Sequence, residues 1–411
     1  MLFQQTMAAC VQNLFSLRIR ACAGASHVRH ATCLPGARQA DTSLLRVAVR
    51  PSRLAVLALV ALAAALPLRA QPPIPAAFDA YATRLTRPDS GRVVGLVVGI
   101  VDASGTTVRG YGRRAAVDGS PAPDGATRFE IGSVTKALVG LALADAALRG
   151  EIDLDAPLAR LLPDTLALDP RIAAVTLRRL ATHRSGLPRL PTNMGVPGID
   201  LDLRDPYGRY DVPRLYAFLE SVRPGRGLDT AAAFAYSNVG AGLAGHLLAR
   251  HLGTTVDALL RARVATPLGL VDTYVGVGAD AAREATGHSA QRAATAPWTF
   301  TDALVAAGGV RSTAADLLRL IDALRTPSPA FAPAVALALQ PHAEASRNRH
   351  IGLFWFADGA VRWHNGGTGG FTTFVGLDTA SGRGVVVLSN TATPVDALGA
   401  HLLDPSRPLP D

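Results

Sequence analysis

Lysine is almost missing from this chain. Of its 41 basic side chains, forty are arginine and one, Lys136, is lysine. Cysteine is confined to Cys10, Cys22 and Cys33. From residue 71 onward there is therefore no disulfide, no thiolate nucleophile and no Cys-ligated metal. Aromatic residues make up only 5%. No H-E-x-x-H occurs, and His246 and His251 stand five apart, which points them away from each other on a helix. No G-x-S-x-G elbow occurs either, since Gly287-His288-Ser289-Ala290 continues with Gln291. Gly110-Tyr111-Gly112-Arg113-Arg114-Ala115 fits a dinucleotide fingerprint on paper, but no helix pattern follows it. No metal and no cofactor is expected. Internal repeats and heptads are absent.

What is present is a large apolar body. The 411 residues are 49% hydrophobic and 18% charged, enough to bury a sizeable core. The net charge of +9 is uneven. Residues 1–70 hold eight arginines against one acid, Asp41, which leaves 33 basic and 31 acidic residues beyond them. A nearly neutral body gives no basis for nucleic-acid binding.

The leader carries its own pattern. Arg46, Arg50 and Arg53 precede an apolar run from Leu54 to Leu66, and Arg69-Ala70-Gln71 follows. A positive flank, a short apolar core and a small residue describe a secretory signal peptide over 46–70, cut near Ala70. The run is short for a bilayer span, and no cysteine sits at the cut, so no stable membrane anchor is expected. The location implied is periplasmic or secreted. Residues 1–45 show no pattern; they are expected to be a disordered leader or an overextended start, with the true start near Val47 or Val49.

In the body, Phe78, Tyr81, Ala82 and Leu85 fall at helical spacing, and Pro88 ends that helix. Val93–Val101 and Thr106–Tyr111 flank Ala103-Ser104-Gly105 and predict a hairpin. A helix is predicted from Ser133 to Leu148 with Gly150 as its stop. Helical segments follow at 176–182, 212–222, 237–252 and 255–265, with a long irregular stretch over 186–211 that suits a binding lid. Strands are predicted at Gly352–Phe356, Val361–Trp363, Phe371–Leu377 and Gly384–Ser389, and a last helix near 395–403. Strands at both ends with helices between imply one sheet built from the two chain ends.

The lone lysine lies in Phe129-Glu130-Ile131-Gly132-Ser133-Val134-Thr135-Lys136. Codon preference for arginine accounts for lysine's loss at solvated positions, where the two are interchangeable. It does not account for the one that survived. Arginine cannot be deprotonated, whereas burial or a neighbouring cation can make a lysine amine neutral. Three residues along a helix bring Ser133 and Lys136 to one side. A serine hydroxyl needs a base to become a nucleophile, and a neutral Lys136 can be that base. The competing reading is a serine N-cap beside a chance lysine.

Two more elements carry chemistry. In Tyr236-Ser237-Asn238 a phenol can relay a proton and an amide can hold a substrate carbonyl. The alternative is a loop tyrosine with an Asn cap. In Trp363-His364-Asn365-Gly366-Gly367 the glycines permit close backbone approach. There the N–H of Gly367 could complete an oxyanion hole with that of Ser133, and His364 could bond substrate or tune Lys136. The alternative is a flexible turn.

Ser133-Val134-Thr135-Lys136, Tyr236-Ser237-Asn238 and His364-Asn365-Gly366 resemble, in order and spacing, the S-x-x-K, Y-x-N and K-T-G set of penicillin-recognising serine enzymes. The stretches Leu180–Pro188 and Gly308–Leu317 are similar to the branch holding class C β-lactamases, D,D-carboxypeptidases and esterases. The resemblance implies an α+β fold: an antiparallel sheet flanked by N- and C-terminal helices (about 76–150 and 300–411) plus an all-α subdomain (about 151–299). It implies Ser133 as nucleophile, Lys136 as base, Tyr236 as relay, and Asn238, His364 and Gly366 as substrate-binding positions. One departure stands out. His-Asn replaces the Lys-Thr that helps the family hold a substrate carboxylate, a change more in keeping with its esterases and peptidases. The expected activity is acyl-serine hydrolysis of an ester, a D-amino-acid peptide or a β-lactam, with a small-molecule or peptidoglycan-derived substrate. The alternative is a penicillin-binding wall sensor that turns over slowly or not at all. The oligomeric state is left open.

Overall fold

A computed structural model describes residues 71–195, 202–223, 233–278 and 280–410. The signal-peptide and leader expectations lie outside these residues. Two strands from the front of the chain, β1 (Gly95–Asp102) and β2 (Gly105–Gly112), form the predicted hairpin. The short β3 (Arg128–Glu130), β4 (Tyr274–Val275) and β5 (Val310–Thr313) make a separate three-stranded sheet in the order β3-β5-β4. The remaining strands are β6 (Ala343–Ser346), β7 (Arg349–Ile351), β8 (Phe356–Asp358), β9 (Val361–Gly367), β10 (Thr372–Asp378) and β11 (Arg383–Ser389). With β1 and β2 they build an eight-stranded sheet, β2-β1-β11-β10-β9-β8-β7-β6. Its ladders are all antiparallel, and β1 pairs with β11, so the two chain ends do share one sheet.

Helices are α1 (Ala76–Leu85), α2 (Val134–Leu148), α3 (Pro170–Ala173), α4 (Leu177–Ala181), α5 (Val212–Ser221), α6 (Asn238–His251), α7 (Val256–Leu260), α8 (Val305–Gly308), α9 (Ala314–Arg325), α10 (Ala332–Leu339) and α11 (Asp396–Leu403). Alternation along β1 sorts the layers. Leu96, Val98 and Ile100 face one way and join Phe78, Ala82, Leu398 and Leu402, so α1 and α11 cover that face. Val97 and Val101 face the other way, into a cluster with Leu317, Ile321, Leu138 and Val139 of α9 and α2. The fold is therefore α+β, with terminal helices on one face and a helical body on the other. Among the described residues no helix is long and apolar enough to cross a membrane.

Helix α2 is apolar nearly all round and buried from Val134 through Ala144, as expected of a helix with neighbours on every side. Gly150, at φ +70°, follows its last turn. Two expectations need correction. Gly352–Trp355 is not a strand: Phe354 takes φ +62°, which breaks the extended path, and the pairing segment begins at Phe356. The helical stretch between 151 and 299 also contains β4. That two-residue strand is too short to read from a pattern, and it pairs with β5 from the far side of the sequence.

Candidate active site

The turn before α2 sets the site. Gly132 holds φ +49°, a left-handed conformation natural to glycine. Ser133 then sits at the helix start with φ −62° and ψ −10°, and its side chain makes no capping bond. That removes the N-cap reading. The hydroxyl instead lies 2.9 Å from the Lys136 Nζ. The amine also donates to the Ala307 carbonyl in α8, at 2.5 Å.

Lys136 is wholly buried within α2. Burial, and secondarily the charge of Arg189, hold its amine well below the usual lysine range. Among the described residues it has no carboxylate partner that would restore the charge. Burial thus favours the neutral amine, whose lone pair beside a hydroxyl is what a general base requires.

Tyr236 lies over this pair, with the Lys136 Nζ 5.0 Å from its ring centroid. Burial pushes its phenol up to about 12, partly offset by the Ser133 hydroxyl and by Arg189. It is thus a neutral O–H donor at ordinary pH. Ser237, not Asn238, is the cap of α6: its Oγ accepts from Gly240 N at 2.8 Å and donates to the Pro188 carbonyl at 2.7 Å. Asn238 donates through Nδ2 to the Tyr207 hydroxyl at 3.1 Å, and its Oδ1 is buried without a partner.

The third element runs along β9. Strand β8 pairs with β9 only as far as Trp363, so His364–Gly367 has one open edge. Thr368 N donates to the Phe371 carbonyl at 3.0 Å, opposite β10. Alternation in an antiparallel ladder then turns the Gly367 N–H away from β10, toward the open edge. The Gly132-Ser133 turn lies against that edge. A Cβ on Gly132 would stand 2.7 Å from Gly367 N, and one on Gly366 would stand 2.0 Å from the Ile131 oxygen and 3.1 Å from Ser133 N. Ser133 N has no acceptor among the described residues. Two N–H groups thus converge where an oxyanion would form. Gly366 serves by having no side chain.

His364 is placed differently from the expectation of a substrate contact. It is fully buried beneath Tyr236 (6.3 Å between ring centroids) and Phe356 (5.4 Å). Its Nδ1 lies 2.6 Å from the Asn365 oxygen, and Nε2 has no partner. Burial, then the nearby Lys136, depress its pKa to about 3. A neutral imidazole leaves Lys136 without a second cation below it. Asn365 turns to the opposite face, donating to Asp396 of α11 at 2.5 Å.

Sequence reasoning gave no role to His183 or Ala307. His183 takes φ +53°, is buried, accepts from Ser237 N through Nδ1 at 3.2 Å and packs against Tyr236 with ring centroids 4.3 Å apart at a 34° tilt. The quoted stretch 180–188 contained it, but a buried histidine leaves no periodic signal. Ala307 acts through its carbonyl, which no side-chain pattern can reveal. No group of three potential metal ligands lies together among the described residues. A cavity of about 560 Å³ lies elsewhere, between α11 and the outer face of the sheet at Trp363 and Phe374, and takes no residue from this site.

Residues 78–404 match the beta-lactamase family profile. The unguisins hydrolase ungD' of Aspergillus campestris (strain IBT 28561) is 26% identical over 345 residues, 77% of this chain, which spans 62% of that relative's length. The esterase EstB of Burkholderia gladioli is 28% identical over 332 residues, covering 65% of this chain and 78% of the esterase. The crystal structure of a class C beta lactamase from Rhodobacter sphaeroides aligns with a TM-score of 0.68 at 25% identity, over 80% of this chain and 99% of its own. With its profile match running from α1 to just beyond α11, the chain belongs to the beta-lactamase family, with relatives named as a hydrolase, an esterase and a beta-lactamase.

Proposed function

We propose that the protein hydrolyses its substrate through an acyl-enzyme on Ser133. The observation that carries this reading is the buried Lys136 amine 2.9 Å from the Ser133 hydroxyl oxygen. Lys136 takes the hydroxyl proton as Oγ bonds to the substrate carbonyl carbon. The oxyanion is held by the N–H groups of Ser133 and Gly367. The proton then passes to the leaving group by way of Tyr236 as the carbon–leaving-group bond breaks, and water later frees the acyl group. Asn238 is assigned to hold the substrate. The substrate class is an ester, a D-amino-acid peptide or a β-lactam, small or derived from peptidoglycan. Esters rank first, because His364-Asn365 replaces Lys-Thr and because a relative is named an esterase. By the leader's pattern, the working location is the periplasm or the exterior.

The test is intact-mass spectrometry with p-nitrophenyl esters, D-alanyl peptides and penicillins. A transient acyl adduct that disappears in Ser133→Ala supports the reading. Hydrolysis by the Ser133→Ala variant at the wild-type rate would end it.

A further inference from the structure

Burial disfavours the charged form of three site residues: Lys136, His183 and His364. One cation remains. Arg189 is exposed, and its guanidinium carbon stands 5.2 Å from the Tyr236 ring centroid. Its backbone is not free to drift, because its carbonyl accepts from Asn238 N at 2.9 Å and Val239 N at 3.3 Å, at the mouth of α6. The same short segment places Pro188 on Ser237, so Arg189 is fixed to the Tyr236-Ser237-Asn238 element from both sides.

Arg189 also lacks what other arginines in the protein have. Arg128, Arg263, Arg283 and Arg311 each hold a carboxylate at 2.8 Å or less. Among the described residues Arg189 has no ion pair and no side-chain hydrogen bond. Its charge is felt by Lys136, His183, Tyr207 and Tyr236, and no described acid acts on any of them from within the site. A guanidinium stacked on an aromatic face keeps its planar fork of donors aimed outward, matched to a carboxylate.

We infer that Arg189 is a specificity-determining residue that binds a carboxylate on the substrate, beside the acylation site. This rests on the hydrolase reading above and adds the substrate's charge to it. The His364-Asn365 segment cannot supply this contact: His364 is buried and uncharged, and Asn365 faces α11.

The test uses the purified full chain and two pairs of esters that differ only by a carboxylate. One pair is p-nitrophenyl butyrate and p-nitrophenyl hemisuccinate. The other is phenyl acetate and 3-carboxyphenyl acetate. Wild type is expected to favour the carboxylate member of at least one pair in kcat/KM. Arg189→Gln should cut that preference about 10- to 100-fold, mainly through KM, the range for losing a hydrogen bond to a charged group. Arg189→Lys should restore part of it, and Arg189→Glu should reverse it. A preference unchanged by Arg189→Gln in both pairs overturns the subsite while leaving Ser133 chemistry standing. Failure of all four esters, with no adduct on Ser133, overturns the hydrolase reading and the subsite together.

Discussion

The Lys136 amine and the Ser133 hydroxyl oxygen stand 2.9 Å apart, one helical turn from each other, and the amine is shut away from water. A charged ammonium there would have no carboxylate to meet among the described residues. Lys136→Arg keeps a cation and a donor but cannot accept a proton. It should lose about 10²–10⁴ in kcat/KM, close to Ser133→Ala, as read with p-nitrophenyl esters.

The pH profile tests Lys136 as the base against a Tyr236 phenolate in that role. Lys136 is depressed by burial, so activity should rise as pH climbs through its lowered pKa and then level off. Tyr236 is pushed up to about 12 and should stay protonated throughout. A plateau in kcat/KM reached below the usual lysine range identifies the amine. A rate that keeps climbing toward pH 12 would assign the base to a Tyr236 phenolate instead.

Gly366→Ala tests the backbone approach. The added methyl would meet the Ile131 oxygen at 2.0 Å, a backbone atom that cannot swing aside as a side chain would, so the β9 edge must move. Turnover should drop about 10²–10³, the cost of one misplaced oxyanion donor, with the circular dichroism spectrum retained. Wild-type turnover in this variant would show that Gly367 does not help hold the oxyanion.

Below the site, Arg311 bridges Glu130 at 2.8 Å and Glu284 at 2.7 Å, all three nearly buried, and ties β3 to β5 beside the Ser133 turn. Arg311→Leu leaves Glu130 without its cation, with Glu284 keeping only Arg128 at 3.6 Å, and should cost about 3–5 kcal/mol in urea unfolding. Arg311→Lys should recover only part of this, since one ammonium cannot match a fork that spans two carboxylates.

His364 gives an acid-stability prediction with a definite sign. Its folded pKa of about 3 lies below the ordinary 6.5, so the unfolded chain binds a proton that the folded one refuses. The penalty is absent above pH 6.5 and grows as pH falls toward 3, by up to roughly 5 kcal/mol. His364→Leu should flatten this slope, measured as urea midpoints at pH 4, 5, 6 and 7. An equally steep fall in the variant would show that His364 is not the group responsible.

Much of this was legible before the fold was known, and the reason differs from residue to residue. Ser133 and Lys136 could be read because their relation is local: three helical steps fix it. The β1–β2 hairpin and the 134–148 helix could be read because period and turn chemistry agree along a short stretch. The Ile131–Gly366 approach could only be suggested, since it depends on how a strand edge near residue 366 meets a turn near residue 132. Arg189 was invisible among forty arginines; what distinguishes it is its place over the Tyr236 ring with no ion pair among the described residues, and placement is a property of three dimensions. Phe354 misled because an apolar run reads as strand until one residue's φ turns positive.

The solitary lysine has a practical consequence. Feeding cells isotope-labelled lysine would mark one residue in the entire molecule, and that residue is the proposed base. Its nuclear resonance would follow the proton on the amine directly, free of overlap. Amine-selective reagents, meanwhile, would find only the chain terminus in the folded protein and would reach Lys136 only on opening, so tagging yield becomes a clock for unfolding at the catalytic centre.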